Sequence, residues 1–175
     1  MERSSDAMAN HVAVASGRSF RIASPPGNAM VTRELASELE HVLEKFAIEA
    51  GFDERWQVSI SFKPGIFGHH RVGRAADIYG VGGVGIGEWQ RRWNRARQAM
   101  RAATDSSECA AIAAAERRRN LGWRLYKAQQ IHGRWAQPYG YPIQLFGPWT
   151  REEGPWKYIS DRMLRAHLDH IHVAK

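Results

Sequence analysis

Two short stretches of the chain concentrate nitrogen and oxygen donors. HHRVGRAAD spans residues 69–77 and HLDHIHV spans 167–173, and together they hold five of the eight histidines. Neutral imidazole and carboxylate are ligands that hold zinc and its neighbours among the divalent metals. The single cysteine, Cys109, rules out an internal disulfide and a cysteine-rich zinc site, so a metal here has to be held by histidine and carboxylate. In a strand starting near His170, His170 and His172 face one way while Ile171 and Val173 enter the core. Asp169 stands where that strand begins, able to turn toward the same face.

The other stretch has to bend. His70 and Asp77 are seven positions apart, a separation of roughly 10 Å on a helix and more than about 20 Å on a strand. Neither reaches one ion through bonds of about 2 Å. The chain must fold back between them, and Gly73 with the small Ala75 and Ala76 offers a permissive backbone. His69 is the competing ligand under a shifted register. An ion bound by His70, Asp77 and His172 has three protein ligands and one open position, the count of a catalytic zinc site.

These residues need elements to position them. HVAVASGRSFRIA alternates on either side of a Ser-Gly turn and reads as a short hairpin, closed off by SPPGNA. Leu35, Leu39, Val42, Leu43 and Phe46 mark a helix over 31–50 that ends at Gly51. WQVSISFK alternates Val58, Ile60 and Phe62 with polar residues and predicts a half-buried strand; AADIYGV predicts a second. GVGGVG over 80–85 fits the dinucleotide-binding pattern G-x-G-x-x-G, but no second strand ending in an acid follows it, so it reads as a glycine turn. Next come a helix with Trp89, Trp93, Ala96 and Met100 on one stripe among arginines, and a second one opened by Asp105 and Glu108 and running toward Gln130. HGRWAQPYGYP is expected to be a loop, IQLF a strand, residues 160–166 a helical turn or two, and HIHVA the last strand. Trp149 and Trp156 are candidate walls for a pocket beside the histidines.

At 175 residues, 43% hydrophobic, the chain fits one soluble globular domain, 29–175, behind an extension over 1–28 that includes the hairpin. No apolar run reaches the roughly 20 residues of a membrane span, and no secretory signal is visible. Net charge is +7 and the pI about 10.0, so polyanions are the expected non-specific partners: anionic cell-wall polymers, lipid or nucleic acid. Neither zinc-finger spacing nor an RNA-recognition signature supports nucleic acid.

The two donor stretches, in this order, resemble the paired signatures of the D-alanyl-D-alanine carboxypeptidase-like zinc peptidases, the group that also holds lysostaphin-type and hedgehog-type zinc domains. HRVGRAAD matches H-x-x-G-x-A-x-D at His70 and Asp77, and HLDHIHV supplies the final ligand His172. The resemblance implies one zinc ion on His70, Asp77 and His172, with Asp169, three residues before the last ligand, as general base. His170 is the rival for that role, through the H-x-H pair of the lysostaphin type. His167, Lys63 and Arg71 are implied at the substrate, Lys63 standing where the family usually places an arginine and Gly68 where it usually places a serine. The implied fold is α+β, an antiparallel sheet carrying the zinc site with helices packed on one side and a helical insertion between the two motifs. The implied activity is hydrolysis of peptide bonds in bacterial peptidoglycan stem peptides, of D,D-carboxypeptidase or endopeptidase type, as in a phage endolysin or a secreted antibacterial effector, acting at the cell wall. Two other readings stay open: an inactive zinc-binding relative serving as a cell-wall module, and a basic nucleic-acid-binding protein whose histidines are incidental.

Overall fold

The computed structural model describes residues 11–23, 30–52, 58–63, 68–133, 144–152 and 156–175. The expected loop HGRWAQPYGYP lies mostly outside them. In chain order the elements are β1 (His11–Ala13), β2 (Arg21–Ile22), β3 (Met30–Thr32), α1 (Arg33–Ala50), β4 (Ser59–Lys63), a 3₁₀ turn (His70–Val72), β5 (Ala75–Val81), β6 (Val84–Gly85), α2 (Ile86–Ala102), α3 (Ser106–Arg119), α4 (Leu121–His132), β7 (Gln144–Phe146), α5 (Asp161–Ala166) and β8 (Ile171–Ala174). The fold is α+β.

The main sheet runs in the order β2-β4-β5-β8-β7, with β6 folded back on β5. The strands around the donor residues, β4, β5, β8 and β7, are all antiparallel neighbours. The sheet as a whole is mixed, because β2 joins β4 in parallel. That corrects the expectation of a wholly antiparallel sheet, and the cause lies in the N-terminal segment. The strands flanking Ser16 and Gly17 do not form a hairpin: β1 pairs with β3 in a separate small sheet. Side chains of α1 hold the connection apart, Glu40 accepting from the Ala15 amide at 2.7 Å and Glu44 from the Ser19 amide and hydroxyl at 3.2 and 2.7 Å. Gly17 is pressed so closely against Phe20 and Glu44 that a Cβ there would lie 2.3 Å from either side chain.

Helix α1 follows its apolar spacing. Leu35, Leu39, Val42, Leu43 and Phe46 are buried, the Thr32 hydroxyl accepts from the Leu35 amide as N-cap, and Gly51 ends the helix in the left-handed conformation. Val58, Ile60 and Phe62 are buried as their alternation requires. Gly82 and Gly83, both at positive φ, make the two-residue turn from β5 to β6. This antiparallel turn leads directly into α2, leaving no room for a dinucleotide crossover.

The long second helix of the insertion is in fact two, α3 and α4, broken at Asn120. That side chain is fully buried and spans three elements: its Oδ1 accepts from the Trp123 amide and caps α4, while its Nδ2 donates to the Trp89 carbonyl of α2 and to Glu116 of α3. Glu116, 1% exposed, also takes Arg119. Trp89 and Trp93 of α2, Leu125 and Tyr126 of α4, the α1 stripe and Ala76, Ile78, Ile171 and Val173 of the sheet form one core cluster. Trp149 is wholly inside, against Tyr126, and so is core packing and not a pocket wall. No helix among the described residues is long and apolar enough to cross a membrane.

Candidate metal centre

Alternation along β5 and β8 separates core from site. Ala76, Ile78, Ile171 and Val173 join the core, while Asp77 and His172, direct partners in the β5–β8 ladder, take the other face. His70 arrives by the fold-back that its spacing demands. The 3₁₀ turn carries it, and Gly73, at φ 68, closes that turn with its amide on the His70 carbonyl before the chain enters β5. A side chain at Gly73 would also collide with His11, whose Cδ2 and Nε2 lie 2.2 Å from an ideal Cβ.

The three side chains meet. His172 Nδ1 lies 2.8 Å from Asp77 Oδ1 and 3.1 Å from His70 Nε2, and His70 Nε2 lies 3.3 Å from Asp77 Oδ1. Four tetrahedral bonds of about 2.05 Å would set their ligand atoms about 3.3 Å apart, so these edges are close to those of a coordination polyhedron. The group is largely buried and can hold a metal ion. His69 takes no part in it.

Hydrogen-bond chemistry tests the fit from another side. His172 Nε2 lies 3.1 Å from Gln144 Oε1, so both ring nitrogens face oxygens that accept and do not donate when Asp77 is ionised. A neutral imidazole has one N–H to give. Either the ring carries two protons or a cation takes the place of one, and burial works against the first by pushing the His172 pKa below its ordinary 6.5. Burial on its own would raise Asp77, but its hydrogen bonds with His172 and His70 and the field of His170 outweigh it and hold the carboxyl well below the usual carboxylate range. The donor set therefore suits a divalent cation.

The remaining predicted residues divide. His170 is 8% exposed, with its Nε2 3.7 Å from Asp77 Oδ1 and its Nδ1 2.8 Å from Asp169 Oδ1. The Asp169 side chain is 72% exposed, at the mouth of the site. His167 donates Nδ1–H to the Met163 carbonyl at 2.7 Å, and its ring lies 4.9 Å from His170 and 5.4 Å from His172. Burial lowers its pKa too. Lys63 lies opposite Asp77 in the β4–β5 ladder. Arg71 is exposed on the turn that carries His70, and Arg74 is tied to the Lys175 carbonyl at 2.8 Å. No family model matches the sequence, no curated protein matches it, and no solved structure matches the fold.

Three neighbours of the site were not singled out from sequence. Tyr79, two residues after Asp77, stacks on His170 at 5.0 Å, with its phenol pKa raised by burial and by the charges of Asp77 and Asp169. Phe146 stacks on the His172 ring at 5.7 Å, and Trp156 meets Phe146 edge-on. Gln144 is the third. Strand alternation puts Tyr79 on the Asp77 face, so it was legible; Phe146 and Gln144 depend on the β7–β8 register.

Proposed function

We propose that the chain is a zinc peptidase acting on the peptide stems of bacterial peptidoglycan. The observation that carries this reading is the convergence of His70, Asp77 and His172 on one point, with the Asp169–His170 pair beside it and Asp169 open to solvent. Zinc on these three ligands supplies an acidified water and a Lewis acid for the scissile carbonyl.

The chain's own groups handle the proton. Asp169 and His170 act as one unit: Nδ1–H of His170 donates to the Asp169 carboxylate, which turns Nε2 toward the cluster. Asp169 takes the proton on its second carboxylate oxygen, since Oδ1 is occupied by Nδ1–H, and returns it from there to the leaving amine. Tyr79 and His167 enclose His170 from two sides and fix its ring. Arg71, exposed beside His70, is proposed to meet a substrate carboxylate.

Charge supports a wall-bound target. Residues 86–132 hold ten arginines and lysines against four acids, six of the chain's net seven charges, and the two arginine-rich stretches converge where Arg92 and Arg95 of α2 face Arg119 of α3 across one groove. This face is proposed to hold the protein on anionic wall polymer, an attraction that weakens with salt.

The deciding experiment is metal content by elemental mass spectrometry, followed by digestion of purified peptidoglycan with and without chelator. One zinc per chain and chelator-sensitive release of amino groups are expected. Zinc without release would favour an inactive wall-binding relative, a reading to which Lys63 and Gly68, in place of the usual arginine and serine, lend weight. Absence of stoichiometric zinc would overturn the peptidase reading.

A further inference from the structure

His172 has two ring nitrogens, and only one of them can serve the metal. Which one is decided by what holds the other, because a neutral imidazole coordinates through its unprotonated nitrogen. Nδ1 faces Asp77 and His70, and Nε2 faces Gln144 Oε1 at 3.1 Å. An amide oxygen accepts and never donates. Held against it, Nε2 keeps the proton and Nδ1 presents its lone pair to the cluster.

The fold makes that contact deliberate. In the β7–β8 ladder Phe146 stands opposite His172 and Gln144 stands opposite Ala174. Gln144 is thus the diagonal neighbour of His172 on the same face, the second-closest kind of cross-strand pair. Phe146 stacks on the ring with an interplanar angle of 16° and limits its rotation, so Gln144 meets a fixed nitrogen. His70 lacks such support: its Nδ1 is buried without a hydrogen-bond partner among the described residues. Among the described residues, one of the two histidine ligands is anchored from outside and the other is not.

We infer that Gln144 is the positioning residue of the metal centre, holding His172 in the Nε2–H form so that it binds through Nδ1. This rests on the metal reading of the site and on nothing about turnover. Loss of an outer hydrogen bond to a ligating histidine typically weakens metal binding about 10- to 100-fold.

The test is zinc affinity by chelator competition on the purified chain, with Gln144→Leu and Gln144→Glu beside wild type. Leucine has no acceptor and is expected to bind zinc about 10- to 100-fold more weakly, while glutamate keeps the acceptor and restores wild-type affinity or better. Circular dichroism confirms that the leucine variant is folded, and nitrogen NMR of the zinc-loaded wild type is expected to show His172 protonated at Nε2. Equal affinity in wild type and Gln144→Leu, or a wild-type His172 bound through Nε2, overturns the role of Gln144 alone. A wild-type chain that takes up no zinc overturns the metal reading, and the role of Gln144 with it.

Discussion

Replacing His172 by alanine removes a nitrogen 2.8 Å from Asp77 and 3.1 Å from His70, and zinc and activity are expected to disappear together; retention of full metal content would take His172 out of the site. Asp169→Asn separates binding from catalysis. With no ligand lost, zinc should stay within a few-fold of wild type while kcat falls by about 10² to 10⁴, and a near-normal kcat would move the base role to His170. These residues were legible in the sequence because two constraints met on them: a fold-back between His70 and Asp77, and a period-2 strand that aimed His170 and His172 alike. The division of labour within the cluster was not legible. Asp169 lies closer to His170 than spacing alone reveals, and Gln144, 28 positions before His172, becomes its neighbour only through the register of β7 on β8.

Helices and turns were recovered wherever one local signal dominated, as with the apolar stripe of α1 or the paired glycines before β6. They were missed where a long-range contact ruled. The local signal at Asn120 is only its cap on the Trp123 amide; the break is fixed as well by Trp89, 31 positions earlier, and by the burial of the whole amide. Asn120→Ala removes the α4 cap and two further buried hydrogen bonds, to the Trp89 carbonyl and to the Glu116 carboxylate, a loss of about 2–4 kcal/mol. Chemical denaturation should show it, and a midpoint unchanged from wild type would mean the three helices are joined by other means. The turn at Gly73 is a second test. Gly73→Ala forces a β-carbon into positive φ and into His11, costing about 1–3 kcal/mol, and because that turn aims His70, zinc affinity should fall in the same variant.

Across the whole molecule the buried histidines set the response to acid. His167 and His172 are both held below the ordinary 6.5 by burial, so below that pH the unfolded chain binds protons that the folded chain resists. Their contribution to stability is complete above pH 6.5 and is lost as the pH falls from there toward their folded values. Asp77, lowered from its ordinary 3.8, adds a second loss below that pH. In chelator, the melting temperature should therefore fall in two stages on acidification, and a flat profile from pH 7 to 5 would mean these rings are not buried in solution. The α+β class was legible at this scale, but the mixed sheet was not, since α1 carboxylates pull β1 and β2 apart. One further property follows from the pairing of Asp77 with His172 across 95 positions. Closing a connection between strands so distant costs chain entropy. If that pairing forms after the transition state, a metal tying the strands together would leave the folding rate almost unchanged and slow unfolding. The ion would then act as a clasp on the native state, and the lifetime of the protein among proteases would follow its grip on that ion as closely as its equilibrium stability.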